Sequence, residues 1–279
     1  MSTIPHRITQ TWKTTDVPEK WKAYQKSWQQ HHSDWDYRLM TDEDNREFVA
    51  KHYPEYLETY DALPYVINRV DYIRYMYMDY WGGFYADLDS EALKPLRDLC
   101  NMPGAEVILA SPINTMKFVE CAVMGSVAGH PLWREVLNEV DSYMKSYYWK
   151  NIAWRMINKE LHVLSLTGPM MLGRVLRRCW YKPWFHTVWL LPKETFYPIQ
   201  WYHPDREDIS KHQDRITRDT YAVHHIAATW LDANWERRLG DMSRSWDGRL
   251  TILLIILNFV IVVALALHLS FRGVQRMFR

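Results

Sequence analysis

The chain has 279 residues, 34 of them Lys or Arg and 33 Asp or Glu, for a formal net charge of +1. That balance leaves no electrostatic case for nucleic acid as a partner. Its three cysteines, Cys100, Cys121 and Cys179, form no C-x-x-C pair, which argues against a zinc ribbon or disulfide scaffold and for buried free thiols.

In chain order, IPHRITQTW (4–12) reads as a first strand running into a loop, with no apolar run after a charged start that would mark a secretory signal. A helix is expected from Pro18 to about His31, then a strand near 37–40. Thr41 stands as an N-cap with Asp44 at the third helical position, opening a helix to about His52. Between Pro64 and Trp81, Val66, Val70, Ile73 and Tyr77 form a helical stripe, which Gly82-Gly83 ends. Strands follow at 84–88, 106–110 and 122–126, then helices at 132–147 and 170–179, the second after the turn Thr167-Gly168-Pro169. Late strands are expected at 188–191 and 222–225. This alternation predicts an α/β sandwich around a mainly parallel sheet.

Leu250 to Leu267 is an 18-residue stretch without a charge, bounded by Arg249 and by Arg272, Arg276 and Arg279. Extended through Leu269, it predicts a membrane-spanning helix at 250–269, after a juxtamembrane segment at 241–249 and before a basic tail at 270–279. Arginines on both sides leave its orientation open.

The chemistry centres on WGGFYADLDSEALKPL (81–96). In a strand, residues i and i+2 share a face, so Asp87 and Asp89 converge if the chain stays extended through Leu88. Two close carboxylates repel, and a hard cation such as Mg²⁺ or Mn²⁺ resolves the repulsion while also holding ligand phosphates. On the preceding helix, Asp71 and Arg74 lie at i and i+3 on one face. They read either as a solvent-facing ion pair or as groups for sugar hydroxyls and phosphate.

Together these residues resemble glycosyltransferase family 32 and the related sugar-binding DXD glycosyltransferases. NRVDYIRYMYMDYWGGFYADLD is similar to that family's helix carrying D-x-x-R followed by GG-x-Y-x-D-x-D. IPHRITQTW resembles its opening strand, and GSVAGHPLW a later segment, with Ala128 where proline is commoner. TGP at 167–169 and AVHHIAATW at 222–230 resemble its late motifs, so the likeness runs through residues 4–230 within a catalytic domain spanning 1–240. It implies a GT-A-like nucleotide-sugar-binding sandwich that transfers a hexose with retained configuration. The donor would be GDP-mannose, with a UDP-hexose as the other option, and Mn²⁺ or Mg²⁺ the cofactor.

By the same resemblance, Trp12 stacks on the nucleotide base, and Asp71 and Arg74 hold the donor sugar. Asp87 contacts ribose or sugar and orients the metal, which Asp89 ligates; His225, or alternatively His224, completes the coordination, and Trp230 approaches the diphosphate. Cys121 falls where Asn or Asp is expected near the acceptor or sugar; either Glu120 takes over that role or the acceptor specificity differs. Fungal members of the family, which mannosylate inositol phosphoceramide or initiate α-1,6-mannose chains, imply a lipid or glycan acceptor. They also imply a Golgi or ER membrane and leave room for a regulatory subunit. Two rival readings use the same residues: a metal-dependent phosphotransferase or hydrolase built on the Asp-x-Asp pair, and a non-catalytic membrane scaffold.

Overall fold

A computed structural model describes residues 3–146, 159–199 and 208–227. The expected juxtamembrane segment, membrane helix and basic tail lie outside these residues, as does Trp230. Among the described residues no helix is long and apolar enough to cross a membrane.

The chain opens with β1 (Arg7–Thr11), α1 (Glu19–His31), β2 (Asp36–Met40) and α2 (Asp42–His52). The capping box read from the sequence is formed: Thr41 Oγ1 accepts from the Asp44 amide at 3.1 Å and Asp44 Oδ2 from the Thr41 amide at 2.8 Å. After a short α3 (Leu57–Ala62) comes α4 (Val66–Tyr80), then β3 (Gly83–Ala86), β4 (Ser90–Ala92) and α5 (Arg97–Cys100). Next are β5 (Val107–Ala110), β6 (Glu120–Ser126), α6 (Pro131–Ser146), α7 (Lys159–Leu166) and α8 (Pro169–Cys179). The last strands are β7 (Val188–Leu191) and β8 (Ala222–His224).

Six strands make one sheet in the order β2-β1-β3-β6-β5-β7, and β4 and β8 make a separate two-stranded ribbon. The sheet is mixed: β1 pairs in parallel with β2 and β3, and β5 with β7, whereas β6 runs against both of its neighbours. The mainly parallel sheet expected from the alternation is thus present with one reversed strand. A helix between two strands enforces a parallel crossover, but the loop between β5 and β6 carries none, so β6 returns as the partner of a hairpin.

Side chains alternate between two cores. Tyr85, Val107, Leu109 and Met124 face the layer of α2, α4, α6 and α8, whereas Phe84, Ala86, Ile108 and Val123 face Trp28, Trp35 and Phe196. The stripe on α4 understates the burial: from Asp71 to Asp79 every residue is buried, because sheet, α6 and α2 enclose the helix. The cysteines are free and buried, as expected.

The two glycines after α4 are obligatory. Gly82 and Gly83 have φ of +62° and +83°, and a Cβ on Gly82 would stand 2.6 Å from the Ala128 amide nitrogen. They turn the chain sharply enough for β3 to lie directly under the helix that precedes it, which brings Asp71 and Arg74 back beside Asp87.

Candidate active site

Asp87, Trp12 and Glu120 all lie at one end of the sheet: past the end of β3, past the end of β1, and at the start of the reversed β6. This is the carboxyl end of the parallel strands, where ligands bind in open α/β sheets.

The first half of the site is built from α4 and β3. Arg74 Nη2 stands 3.2 Å from Asp71 Oδ1 and 3.1 Å from Asp87 Oδ1, while Nη1 donates to Asp87 Oδ2 at 3.3 Å and to the Cys121 carbonyl at 3.0 Å. Nε donates to the Val70 carbonyl, so all three guanidinium nitrogens are engaged by the protein. Asp71 and Arg74 are 4% and 2% exposed, which rules out the solvent-facing ion pair. The geometry makes Arg74 a positioning residue for Asp87.

Three residues that the sequence reading did not single out complete this half. Tyr85 donates to Asp87 Oδ1 at 2.7 Å, Thr167 donates to Asp71 Oδ2 at 2.9 Å, and Asn68 donates to Thr167 Oγ1 at 2.8 Å. Tyr85 stands inside the DXD motif itself, and Thr167 in the TGP turn, so both had a signal. Asn68 had only its place one turn before Asp71.

The second half comes from the β4–β8 ribbon. The strand ends at Ala86, and the Ser90 amide donates to the Asp87 carbonyl at 3.0 Å, so Leu88 and Asp89 form a turn. Asp87 and Asp89 therefore converge by a turn and not by the i, i+2 alternation assumed from the sequence. Immediately afterwards β4 pairs antiparallel with β8, Ser90 opposite His224. His224 Nε2 lies 3.3 Å from Asp89 Oδ1, and the Ala227 amide donates to Asp89 Oδ2 at 2.8 Å. His225 turns the other way, with Nε2 3.1 Å from Glu91 Oε2 and its ring stacked on Tyr24 at 4.2 Å. It is therefore His224, the alternative, and not His225, that gathers with Asp87 and Asp89.

One ligand atom each from Asp87, Asp89 and His224 fit within 4.8 Å of one another. Two carboxylates and an imidazole suit Mn²⁺ or Mg²⁺, and His224 Nδ1 is buried without a hydrogen-bond partner. The donor set therefore fits a divalent cation. Electrostatics agree: among the described residues, the main cations acting on Asp71, Asp87, Asp89 and Glu120 are Arg74 and His224. Burial raises the Asp71 carboxyl to about 7 against the pull of Arg74 and Thr167. Burial would raise Asp89 too, but His224 and the Ala227 amide overcome it and hold it at about 2. Burial would lower His224, and Asp89 lifts it instead to about 9.

Glu120 accepts from the Cys121 amide at 3.0 Å and is within the electrostatic reach of His224 and Asp87. Cys121 itself is buried, its Sγ 3.4 Å from Arg74 Nη1, so it backs the site and does not face an acceptor. Trp12 packs edge-on to Trp21 at 4.6 Å, in a small cluster with Leu88 of the DXD turn. Beside it, a cleft of about 110 Å³ is lined by Lys20, Trp21, Tyr24, His225 and Ala227.

A mixed α/β sheet with a half-buried carboxylate–imidazole cluster at the carboxyl ends of its parallel strands makes this an α/β protein with a candidate DXD site. Residues 18–108 match the glycosyltransferase sugar-binding region containing DXD motif. The chain belongs to that glycosyltransferase family. It is 35% identical over 198 residues to inositol phosphoceramide mannosyltransferase 3 of Schizosaccharomyces pombe, covering 69% of this chain and 51% of that protein. Identity is 41% over 170 residues to inositol phosphoceramide mannosyltransferase 2 of the same yeast (61% and 45% covered). It is 34% over 185 residues to mannosyl phosphorylinositol ceramide synthase CSH1 of Saccharomyces cerevisiae (66% and 45% covered). The chain spans about half the length of the curated relatives it matches.

Proposed function

We propose that the chain is a membrane-associated, metal-dependent retaining glycosyltransferase. It moves a hexose, with mannose favoured, from a nucleotide diphosphate sugar to a hydroxyl of a glycolipid of the inositol phosphoceramide type. The observation that carries the reading is the meeting of Asp87, Asp89 and His224 within 4.8 Å, on a DXD motif that matches the family. The lipid acceptor rests on the names of the relatives.

Asp89, His224 and Asp87 would hold the cation, which supplies charge neutralisation for the departing diphosphate. The chain's own residues do the positioning. Arg74 and Tyr85 fix both oxygens of Asp87, and Asp71 is held in turn by Arg74 and Thr167. Trp12 and the cleft beside α1 offer aromatic faces and the Lys20 ammonium to the nucleotide end of the donor. Glu120, on the far side of Asp87, is placed for the acceptor.

The phosphotransferase reading fits less well. It accounts neither for the match of residues 18–108 to a DXD sugar-binding region nor for the mannosyltransferase relatives. The deciding experiment incubates the full chain with a panel of nucleotide sugars and Mn²⁺, with and without inositol phosphoceramide. Sugar transfer that stops on chelation is the expected result. Phosphate release from a phosphoester, with no turnover of any nucleotide sugar, would sink the proposal.

A further inference from the structure

The acidic cluster occupies only part of the sheet's ligand-binding end. On its β1 side lie Trp12 and the cleft against α1; on its other side, past β6, end β5 and β7. The connection from β5 to β6 is SPINTMKFV (111–119), which has one lysine and no acidic residue and leads straight into Glu120.

This loop is clamped. A Cβ on Gly173 of α8 would come within 2.5 Å of the Met116 carbonyl oxygen, so glycine is what lets the backbones approach. Arg177 donates to the same carbonyl at 2.6 Å, and the Val119 amide donates to the Pro169 carbonyl at 3.2 Å. Yet two of the loop's apolar side chains stay in solvent, Ile113 at 51% exposed and Met116 at 37%, and Met170, at the start of α8, is 37% exposed. A single exposed apolar residue means little. Here three share a lip that the backbone holds rigid at the acceptor side of the site, with Lys117 and Arg177 exposed beside them. Apolar side chains flanked by cations match the boundary between acyl chains and anionic headgroups of a bilayer.

We infer that this lip is the surface on which the catalytic domain meets the bilayer. Ile113, Met116 and Met170 enter the acyl boundary, and Lys117 and Arg177 pair with anionic headgroups. The hydroxyl of an embedded acceptor is thereby presented beside Glu120. The inference rests on the lipid-acceptor reading proposed above, and it assigns that reading a surface. Restricting donor-loaded enzyme to the plane of its acceptor raises the effective concentration of that acceptor.

The test compares the full chain with its I113S/M116S/M170Q variant, and separately with Lys117→Glu. Each is assayed on acceptor lipid in anionic vesicles, on a water-soluble headgroup analogue lacking acyl chains, and for hydrolysis of the donor alone. All the substituted side chains are exposed, so melting temperatures should match. The triple variant should raise KM for the vesicle acceptor by roughly tenfold, equivalent to about 1.4 kcal/mol, with donor hydrolysis and the soluble acceptor unaffected. Lys117→Glu should raise the same KM by less, and only on anionic vesicles. An unchanged vesicle KM, or equal losses on vesicle and soluble acceptors, would overturn the lip. Unmodified chain that uses the soluble analogue but no lipid would overturn the lipid reading and the lip together.

Discussion

The two halves of the acidic cluster are held by different means. Asp71 and Asp87 are fixed by side chains, Arg74, Tyr85 and Thr167, packed between α4 and the sheet. Asp89 and His224 are fixed by backbone: a turn after β3, the pairing of Ser90 with His224, and the Ala227 amide. The first half is a buried charge network that depends on every member being present. The second is a two-stranded ribbon that holds Asp89 and His224 half-buried, their side chains 16% and 11% exposed. One half should therefore govern stability, and the other ligand binding.

That division can be broken directly. Asp89→Ala should lower metal-dependent turnover by about 10³-fold or more, the scale of removing a group that stabilises developing charge. The melting temperature should stay near the parent value. Activity within tenfold of the parent in a Mn²⁺ titration would refute the ligand role. Arg74→Ala should lower stability as well as turnover, because Arg74 also positions Asp87. It strands two buried carboxylates, and removing one partner of a buried ion pair costs about 3–5 kcal/mol. Denaturant unfolding should show that loss; a change under 1 kcal/mol would show that water reaches the network and that α4 does not seal it.

A smaller effect separates the adjacent histidines. His224→Ala should weaken Mn²⁺ binding by about 10–100-fold, read by calorimetry, through loss of a ligand and of the group facing Asp89. His225→Ala removes a ring stacked on Tyr24 and paired with Glu91, and should cost stability with little change in metal affinity. Equal effects on metal affinity would mean that the ribbon does not discriminate between its two faces.

This pair also shows where reading the sequence stops. Asp71, Arg74, the Gly82-Gly83 turn and the DXD motif lie within twenty residues, so local periodicity and motif spacing suffice to bring them together. His224 arrives from the far end of the domain, and the face it presents is set by antiparallel register with β4, a short strand that the sequence does not announce. Neighbouring strand residues face opposite ways, so a one-residue uncertainty in register exchanges His224 for His225. The turn at Leu88 was hidden for a related reason: a strand-like composition continues past Ala86, but the pairing that defines the strand ends there. α7 and β4 escaped the sequence reading altogether, since helices and strands this short carry too few periods to stand out.

The weakest expected effect lies away from both halves and serves as their control. His130, before α6, is buried between Thr187 Oγ1, 3.1 Å from Nε2, and the Leu132 amide, which donates to Nδ1 at 3.2 Å. Burial depresses this imidazole to about 4 against the opposing pull of Glu106, so it is neutral in the folded chain near neutral pH. An unfolded histidine titrates near 6.5, so between these values the unfolded state binds more protons and stability falls as pH falls. The contribution is fully present above pH 6.5 and is lost as pH drops toward 4, the loss reaching about 1.4 kcal/mol at pH 5.5. His130→Gln should flatten that part of the stability–pH curve, measured by denaturant unfolding in metal-free buffer. If the curve keeps its slope in the variant, the acid sensitivity arises in the carboxylate network around Arg74, and the stabilising half of the site is also the half that titrates.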